Sequence, residues 1–163
     1  MPATPTALPP IAGEDHVCAE CGLRYPDLPV DDVADQLRRA TAVLTDLVAA
    51  LAPGAAARRV DEVAGWSVAE YLCHLRDVDV VHTIRLHRAQ HEDRPALEPM
   101  YNDLRAARFG YRRADPAAVV VDLARAVEGF LAEVDSTPSD GWDRPVTRLG
   151  EQRTARWLVR NVA

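Results

Sequence analysis

His74 is the residue of this chain whose type and position most clearly suit chemistry. At about 100° per residue, Tyr71, His74, Val78, Val81 and Arg85 fall on one side of a helix. That side overlaps an apolar stripe, which predicts an imidazole pointing into a bundle. There each ring nitrogen needs a hydrogen bond, a water or a metal ion. Spacing alone favours a hydrogen-bonded core histidine over a ligand. Cys18-Ala19-Glu20-Cys21-Gly22 offers a different chemistry. A pair of thiols separated by two residues, followed by a glycine for a tight turn, suits half of a tetrahedral zinc site. A second such pair is missing, so two reduced thiols in a loop remain the alternative. No βαβ pattern surrounds the pair, which argues against a redox motif.

His87 and His91 stand one helical turn apart and could chelate a metal, but on the side of the helix away from His74. Arg88, Glu92 and Asp93 around them favour a solvated polar face. His82 is nearer the His74 side and is the weaker candidate there. Arg85, deeper along the same helix, suits either the steering of an anionic substrate or an ion pair with Asp77 or a carboxylate of another helix. Asp77 could otherwise orient a ligand histidine. Glycine-rich phosphate loops, GxSxG elbows and HExxH helices are absent from the sequence.

The elements that must position these residues read as helices. Residues 1–29 form a proline-rich lead that carries the CxxC knuckle, and prolines at 2, 5, 9, 10, 26 and 29 bar a long helix there. Residues 30–163 form the bundle. Val30, Val33, Leu37, Leu44, Leu47, Val48 and Leu51 make the stripe of a first helix, which Pro53-Gly54 stops. Ser67-Val68-Ala69-Glu70 is a capping box with Trp66 as an apolar staple before it. The second helix then runs through Leu72, Leu75, Val78, Val81 and Ile84 towards Pro95. Residues 95–114 read as a long crossover with one short helical piece near Asn102 to Phe109. Asp115-Pro116, a cap followed by proline, starts a third helix with Val119, Val120, Leu123, Val127, Leu131 and Val134 as its buried stripe. Pro138 to Gly150 reads as a loop. A last helix starts around Thr154 and is expected still to be running at Ala163, which leaves one wall of the bundle unfinished and suggests a truncated chain.

Composition agrees with one helical domain. The 163 residues are 48% hydrophobic, 27% charged and only 6% aromatic, a balance that favours aliphatic helix packing over a sandwich or barrel. A formal net charge of −6 speaks against general affinity for nucleic acid or anionic membranes. No long uninterrupted apolar run predicts a membrane span. The start of the chain has no secretory pattern, so the expected compartment is the cytoplasm, where the three cysteines are better read as thiols or ligands than as disulfides.

Trp66-Ser67-Val68-Ala69-Glu70-Tyr71-Leu72-Cys73-His74-Leu75-Arg76-Asp77-Val78 resembles the W-S-x-x-E-x-x-x-H-x-x-D helix of the DinB/YfiT-like superfamily, especially its actinobacterial branch. The resemblance extends to Arg85, Asp93-Arg94-Pro95, Gly141-Trp142-Asp143-Arg144 and Arg153-Thr154-Ala155-Arg156-Trp157-Leu158. It implies an all-α, up-down-down-up four-helix bundle with a long crossover between helices two and three. It also implies a divalent metal, zinc or nickel, held by a histidine at the position of His74 and by residues of helix four. Those further ligands would follow Arg160-Asn161-Val162-Ala163, and in their absence Cys18 and Cys21 are the candidates to join His74.

The activity implied is that of a metal-dependent transferase using a small thiol such as mycothiol, or of a hydrolase. Its partners would be the thiol and an electrophilic substrate, with Arg85 binding the anionic end of one of them. The competing expectation is a zinc-stabilised helical module that binds a protein partner without catalysis. A homodimer is compatible with either.

Overall fold

The computed structural model of the chain describes residues 11–59 and 65–162. Helix α1, Val30–Ala49, starts behind Pro29 with Asp31 and Asp32 in its first turn, where their charge meets the positive end of the helix dipole. It buries Val33 fully and packs Leu37, Leu44 and Val48 against the core. Leu47, placed on the stripe by its spacing, is instead 58% exposed, because no element of the described chain covers that edge of α1.

Helix α2, Val68–His91, begins as the capping box predicts. The Ser67 side chain accepts from the Glu70 amide, and the Glu70 carboxylate accepts from the Ser67 amide at 2.8 Å. The Trp66 and Tyr71 rings lie 5.5 Å apart between centroids, which is the expected staple. Leu72, Cys73, Leu86 and Ala89 are buried, whereas Tyr71, Leu75 and Ile84 are exposed. The buried face of α2 is therefore rotated from the stripe drawn through those three residues, and it takes in Asp79 and His82 as well. Arg144 closes the far end of the helix by donating to the carbonyls of Ala89, at 2.6 Å, and Glu92, at 2.9 Å.

The crossover contains helix α3, Asn102–Phe109, where one short helical piece is expected. Helix α4, Pro116–Ser136, has Asp115 accepting from the Ala117 amide and proline at its start. It contributes more buried hydrophobic residues than any other helix: Val119, Val120, Leu123, Val127, Phe130, Leu131 and Val134. Helix α5, Ala155–Arg160, is capped by the Thr154 side chain. It ends at Arg160 rather than running to the last residue. The core lies between α2 and α4, with α1 against α4 and α5 against both α2 and α1.

The segment read as a loop from Pro138 to Gly150 holds structure that the sequence does not announce. Strands β2, Pro145–Arg148, and β3, Glu151–Thr154, form an antiparallel hairpin, and β1, Ala96–Leu97, pairs with β2 in parallel. The turn between β2 and β3 puts Leu149 and Gly150 at φ of 52° and 81°. Paired positive φ angles are usual for a two-residue hairpin turn, but asparagine or aspartate is the usual residue where leucine stands here. The small sheet matters to the site because it sets Leu97 beside Arg148 in register. The lead is also part of the same body. Tyr25 and Leu28 belong to the hydrophobic core, and Trp157 of α5 donates its indole N–H to the carbonyl of Ala12 at 3.0 Å.

Candidate functional site

The chemistry-bearing residues distribute along α2, beginning at its first turn. His74 is half-buried, and its ring meets Trp66 edge to face at 5.1 Å. No hydrogen bond occupies either of its nitrogens among the described residues. Burial lowers its pKa, Asp77 works in the opposite direction, and Arg105 adds to the lowering. The imidazole is therefore neutral at neutral pH, the form in which histidine donates a lone pair to a metal.

Asp77 is 8% exposed and fully engaged. It accepts from Arg76 at 2.8 and 2.9 Å, from Arg105 at 2.5 Å, and from the hydroxyl of Tyr111. Burial tends to raise its pKa, but these donors outweigh it and hold the carboxyl below its usual range. Neither of the roles considered from spacing is realised. Asp77 makes no ion pair with Arg85 and no hydrogen bond to His74; it ties α2 to α3 and to the Tyr111 turn.

His82 sits in the interior at 3% exposure. Its Nδ1–H donates to the Val78 carbonyl at 2.8 Å, and this leaves Nε2 to accept from Arg85 at 3.5 Å. Both ring nitrogens are thus occupied, which removes His82 as a ligand. The rings of His87 and His91 meet at a tilt on the outside, 4.3 Å between centroids, with His87 against Glu133 at 3.2 Å. They form the solvated face expected of them.

Arg85 is buried, at 7% exposure. One guanidinium nitrogen donates to the backbone carbonyl of Glu98 and the other approaches neutral His82, so no carboxylate neutralises it. Burial and the nearby Arg148 pull its pKa down to about 10. Arg148 is itself 9% exposed, and its Nη1 has no partner among the described residues. A cavity of about 240 Å³ opens beside Arg85, lined also by Arg88 and Arg105 together with Val81, Leu97 and Glu98; Arg148 does not line it. Sequence reasoning identified Arg85 but missed Arg148, whose position beside it depends on the pairing of β1 with β2.

The cysteine knuckle is a local structure. The Gly22 amide donates to the Cys18 carbonyl at 2.9 Å, and the Cys18 amide donates to the Leu23 carbonyl at 2.8 Å. Backbone amides of Cys21 and Glu20, followed by the Cys21 thiol, lower the pKa of Cys18. Cys18 is half-buried, Cys21 exposed, and both are free. Among the described residues, no three or more histidine, cysteine, aspartate or glutamate side chains gather into a metal site. Cys18, Cys21 and His74 are therefore not brought together. His74 suits one coordination position, and the described residues do not complete the set.

A helical bundle with a crossover between its second and third long helices is the architecture that the resemblance to DinB/YfiT-like proteins implies. Within that class the chain belongs to the family described as the mycothiol maleylpyruvate isomerase N-terminal domain, which matches residues 37–163. YfiT from Bacillus subtilis, described as a probable metal-dependent hydrolase with an unusual four-helix bundle topology, superposes with a TM-score of 0.73. It shares 20% identity over 82% of this chain and 77% of its own. The mycothiol-dependent maleylpyruvate isomerase superposes with a TM-score of 0.64 and 18% identity, over 84% of this chain and 59% of its own. A single-site mutant of that isomerase gives 0.64 and 17%, over 83% and 57%. At these identities the likeness is one of fold, and the chain spans less than three fifths of the isomerase. No curated protein sequence matches the chain.

Proposed function

We propose that the chain is the metal-binding helical domain of an enzyme that transfers a small thiol such as mycothiol to an electrophilic substrate, or hydrolyses that substrate. In this reading His74 is one ligand of a divalent ion, with zinc the expected metal. The observation that carries it is the state of His74: neutral, half-buried, without a hydrogen bond to any described residue, and held by Trp66 at the head of α2. Family membership and the fold shared with a probable metal-dependent hydrolase support the reading.

A bound divalent ion supplies Lewis-acid chemistry, lowering the pKa of a thiol or water so that it becomes a nucleophile near neutral pH. The residues of this chain have simpler tasks. His74 offers an unprotonated nitrogen. Trp66 fixes the tilt of its ring, and donates its own N–H to Asp103 at 3.1 Å, which anchors the indole. Asp77, Arg76, Arg105 and Tyr111 lock the neighbouring turn of α2 against the crossover, so that the histidine sits on a rigid support.

The test is the metal content of the purified protein. A bound divalent ion is expected in the wild type, at least tenfold less in His74→Ala, and an unchanged amount in a Cys18→Ser, Cys21→Ser double variant. Wild-type protein free of metal, or His74→Ala retaining it, overturns the assignment.

A further inference from the structure

The cysteine pair of the lead stands apart from the His74 end of α2 and has no part in the reading above. A short hairpin holds it. Val17 bridges Arg24, the Cys18 amide donates to the Leu23 carbonyl at 2.8 Å, and the Tyr25 amide donates to the His16 carbonyl at 2.9 Å. Behind the hairpin Tyr25 is anchored in the hydrophobic core, with the His16 ring edge-on to it at 5.0 Å. The turn itself is closed by the Gly22 amide on the Cys18 carbonyl at 2.9 Å, with Gly22 at a φ of 74°. That turn aims three donors at the Cys18 sulfur: the amides of Cys21 and Glu20, and the Cys21 thiol. A thioredoxin-like pair obtains such donors from a helix N-terminus. Here the turn provides them, without the βαβ frame whose absence argued against redox chemistry.

We propose that Cys18 and Cys21 form a redox-active dithiol that exchanges with a small-molecule disulfide. Cys18 is the attacking sulfur, because the donors around it favour the thiolate more strongly than partial burial and the Glu20 charge oppose it. Its thiolate attacks one sulfur of the small disulfide. The S–S bond breaks, and the other half leaves as a thiolate that takes a proton from solvent. Cys21 then gives its proton to solvent and attacks the Cys18 sulfur of the mixed disulfide, expelling the second small thiol. Two electrons pass from the pair to the small disulfide, and one Cys18–Cys21 bond replaces the bond broken. The two sulfurs are already in contact within a closed turn, so the second step needs no rearrangement of the hairpin. Access is open: Cys21 is exposed, Cys18 is half-buried, and the space beyond Gly22 is empty of protein. Cys73, 1% exposed and with its thiol pushed up by burial, takes no part. Among the described residues no third histidine, cysteine or carboxylate joins the two sulfurs, so the donor set is that of a dithiol rather than of a closed tetrahedral site.

The experiment treats the whole chain, reduced and then freed of reductant, with hydroxyethyl disulfide, and reads intact mass and mapped peptides over time. The wild type is expected to lose two hydrogens, carry no adduct and keep one alkylatable thiol of its three, that of Cys73. Cys21→Ser is expected to stop at a stable adduct on Cys18. Cys18→Ser is expected to form its adduct on Cys21 about tenfold more slowly, a difference that vanishes in urea, where the turn is gone. The wild type in urea is likewise expected to react about tenfold more slowly than the folded protein, a comparison that needs no variant. A folded wild type that gathers adducts on both sulfurs without linking them overturns the proposal. So does an equal native rate for the two variants, or a wild type that reacts no faster folded than unfolded. Reaction that appears only after a chelator has stripped a metal ion overturns it too, by assigning the pair as ligands. Metal held through His74 is measured separately, so either reading can fail without the other.

Discussion

The buried titratable groups of α2 oppose one another, and that opposition governs how stability depends on pH. His82, pushed by burial from its usual 6.5 down to about 3, stays neutral in the folded protein. Below pH 6.5 the unfolded chain takes up a proton at this site that the folded one refuses, so stability falls as pH falls, at about 1.4 kcal/mol per unit. Asp79, pushed by burial from 3.8 up to about 7 with one oxygen unpartnered, acts in the other direction. Between pH 7 and 3.8 the folded protein holds a proton there that the unfolded chain lacks, and stability gains as pH falls. The two slopes cancel over most of that window. Below pH 4.5 Glu70, held down to about 2 chiefly by Arg59 and by the Ser67 bonds, adds a second loss. Denaturant midpoints of the wild type are thus expected to fall only modestly between pH 6 and 4.5, where the lowered pKa of His74 is the uncompensated loss, and to fall steeply below. Asp79→Asn removes the compensating group; its stability should exceed that of the wild type above pH 7 and decline continuously from pH 6.5. An Asp79→Asn curve parallel to that of the wild type would show that Asp79 is ionised in the folded state.

At the scale of elements, the ends of α2 decide where His74 and Arg85 stand. The N-terminal end is held by Ser67 and Glu70, and Arg59 reaches the same carboxylate at 3.1 Å from the preceding segment. Ser67→Ala leaves a buried amide without its acceptor and is expected to cost about 1 kcal/mol, the typical value for such a cap. The C-terminal end depends on Arg144, whose two carbonyl bonds lie where the helix dipole is negative. Arg144→Ala is expected to cost about 1–2 kcal/mol, read from urea midpoints. The same variant should speed amide exchange at Glu92, which donates to Arg88 in the last turn, and leave the Ser67 end unaffected. Equal acceleration at both ends would mean that α2 opens as one unit and that Arg144 is no local cap.

For the whole molecule, the lead and the last helix are fastened to each other across almost the full length of the chain. Arg160 donates to the carbonyls of Leu28, at 2.9 Å, and Pro26, at 3.3 Å, while Arg153 and Trp157 both reach Ala12. Glu14 accepts from the Thr154 amide at 2.6 Å. The knuckle of Cys18 and Cys21 rides on this connection rather than on the His74 end of α2. Arg160→Ala is expected to increase cleavage within residues 18–28 by a protease of broad specificity, with α2 and α4 remaining protected. Unchanged cleavage would show that the burial of Tyr25 and Leu28 alone holds the lead.

The helices, their caps and the short piece at Asn102 to Phe109 were legible because each is specified by neighbours within one or two turns. The Ser67 to Glu70 box, the Asp115-Pro116 start and the Trp66 staple all lie within that range, and His74 was identified for the same reason. The rotation of the buried face of α2 was not legible, since it depends on which side α4 and α5 cover. The hairpin was hidden because strands of four residues carry almost no periodic signal and its turn uses leucine where asparagine is usual. Arg148 was invisible for that reason, although its neighbour Arg85 was marked. Local sequence thus determined the helices and the histidine they present. Tertiary packing decided the buried positive charge beside α2, because two guanidinia 63 positions apart, Arg85 and Arg148, come near each other only when a strand of the crossover pairs with a strand beyond α4.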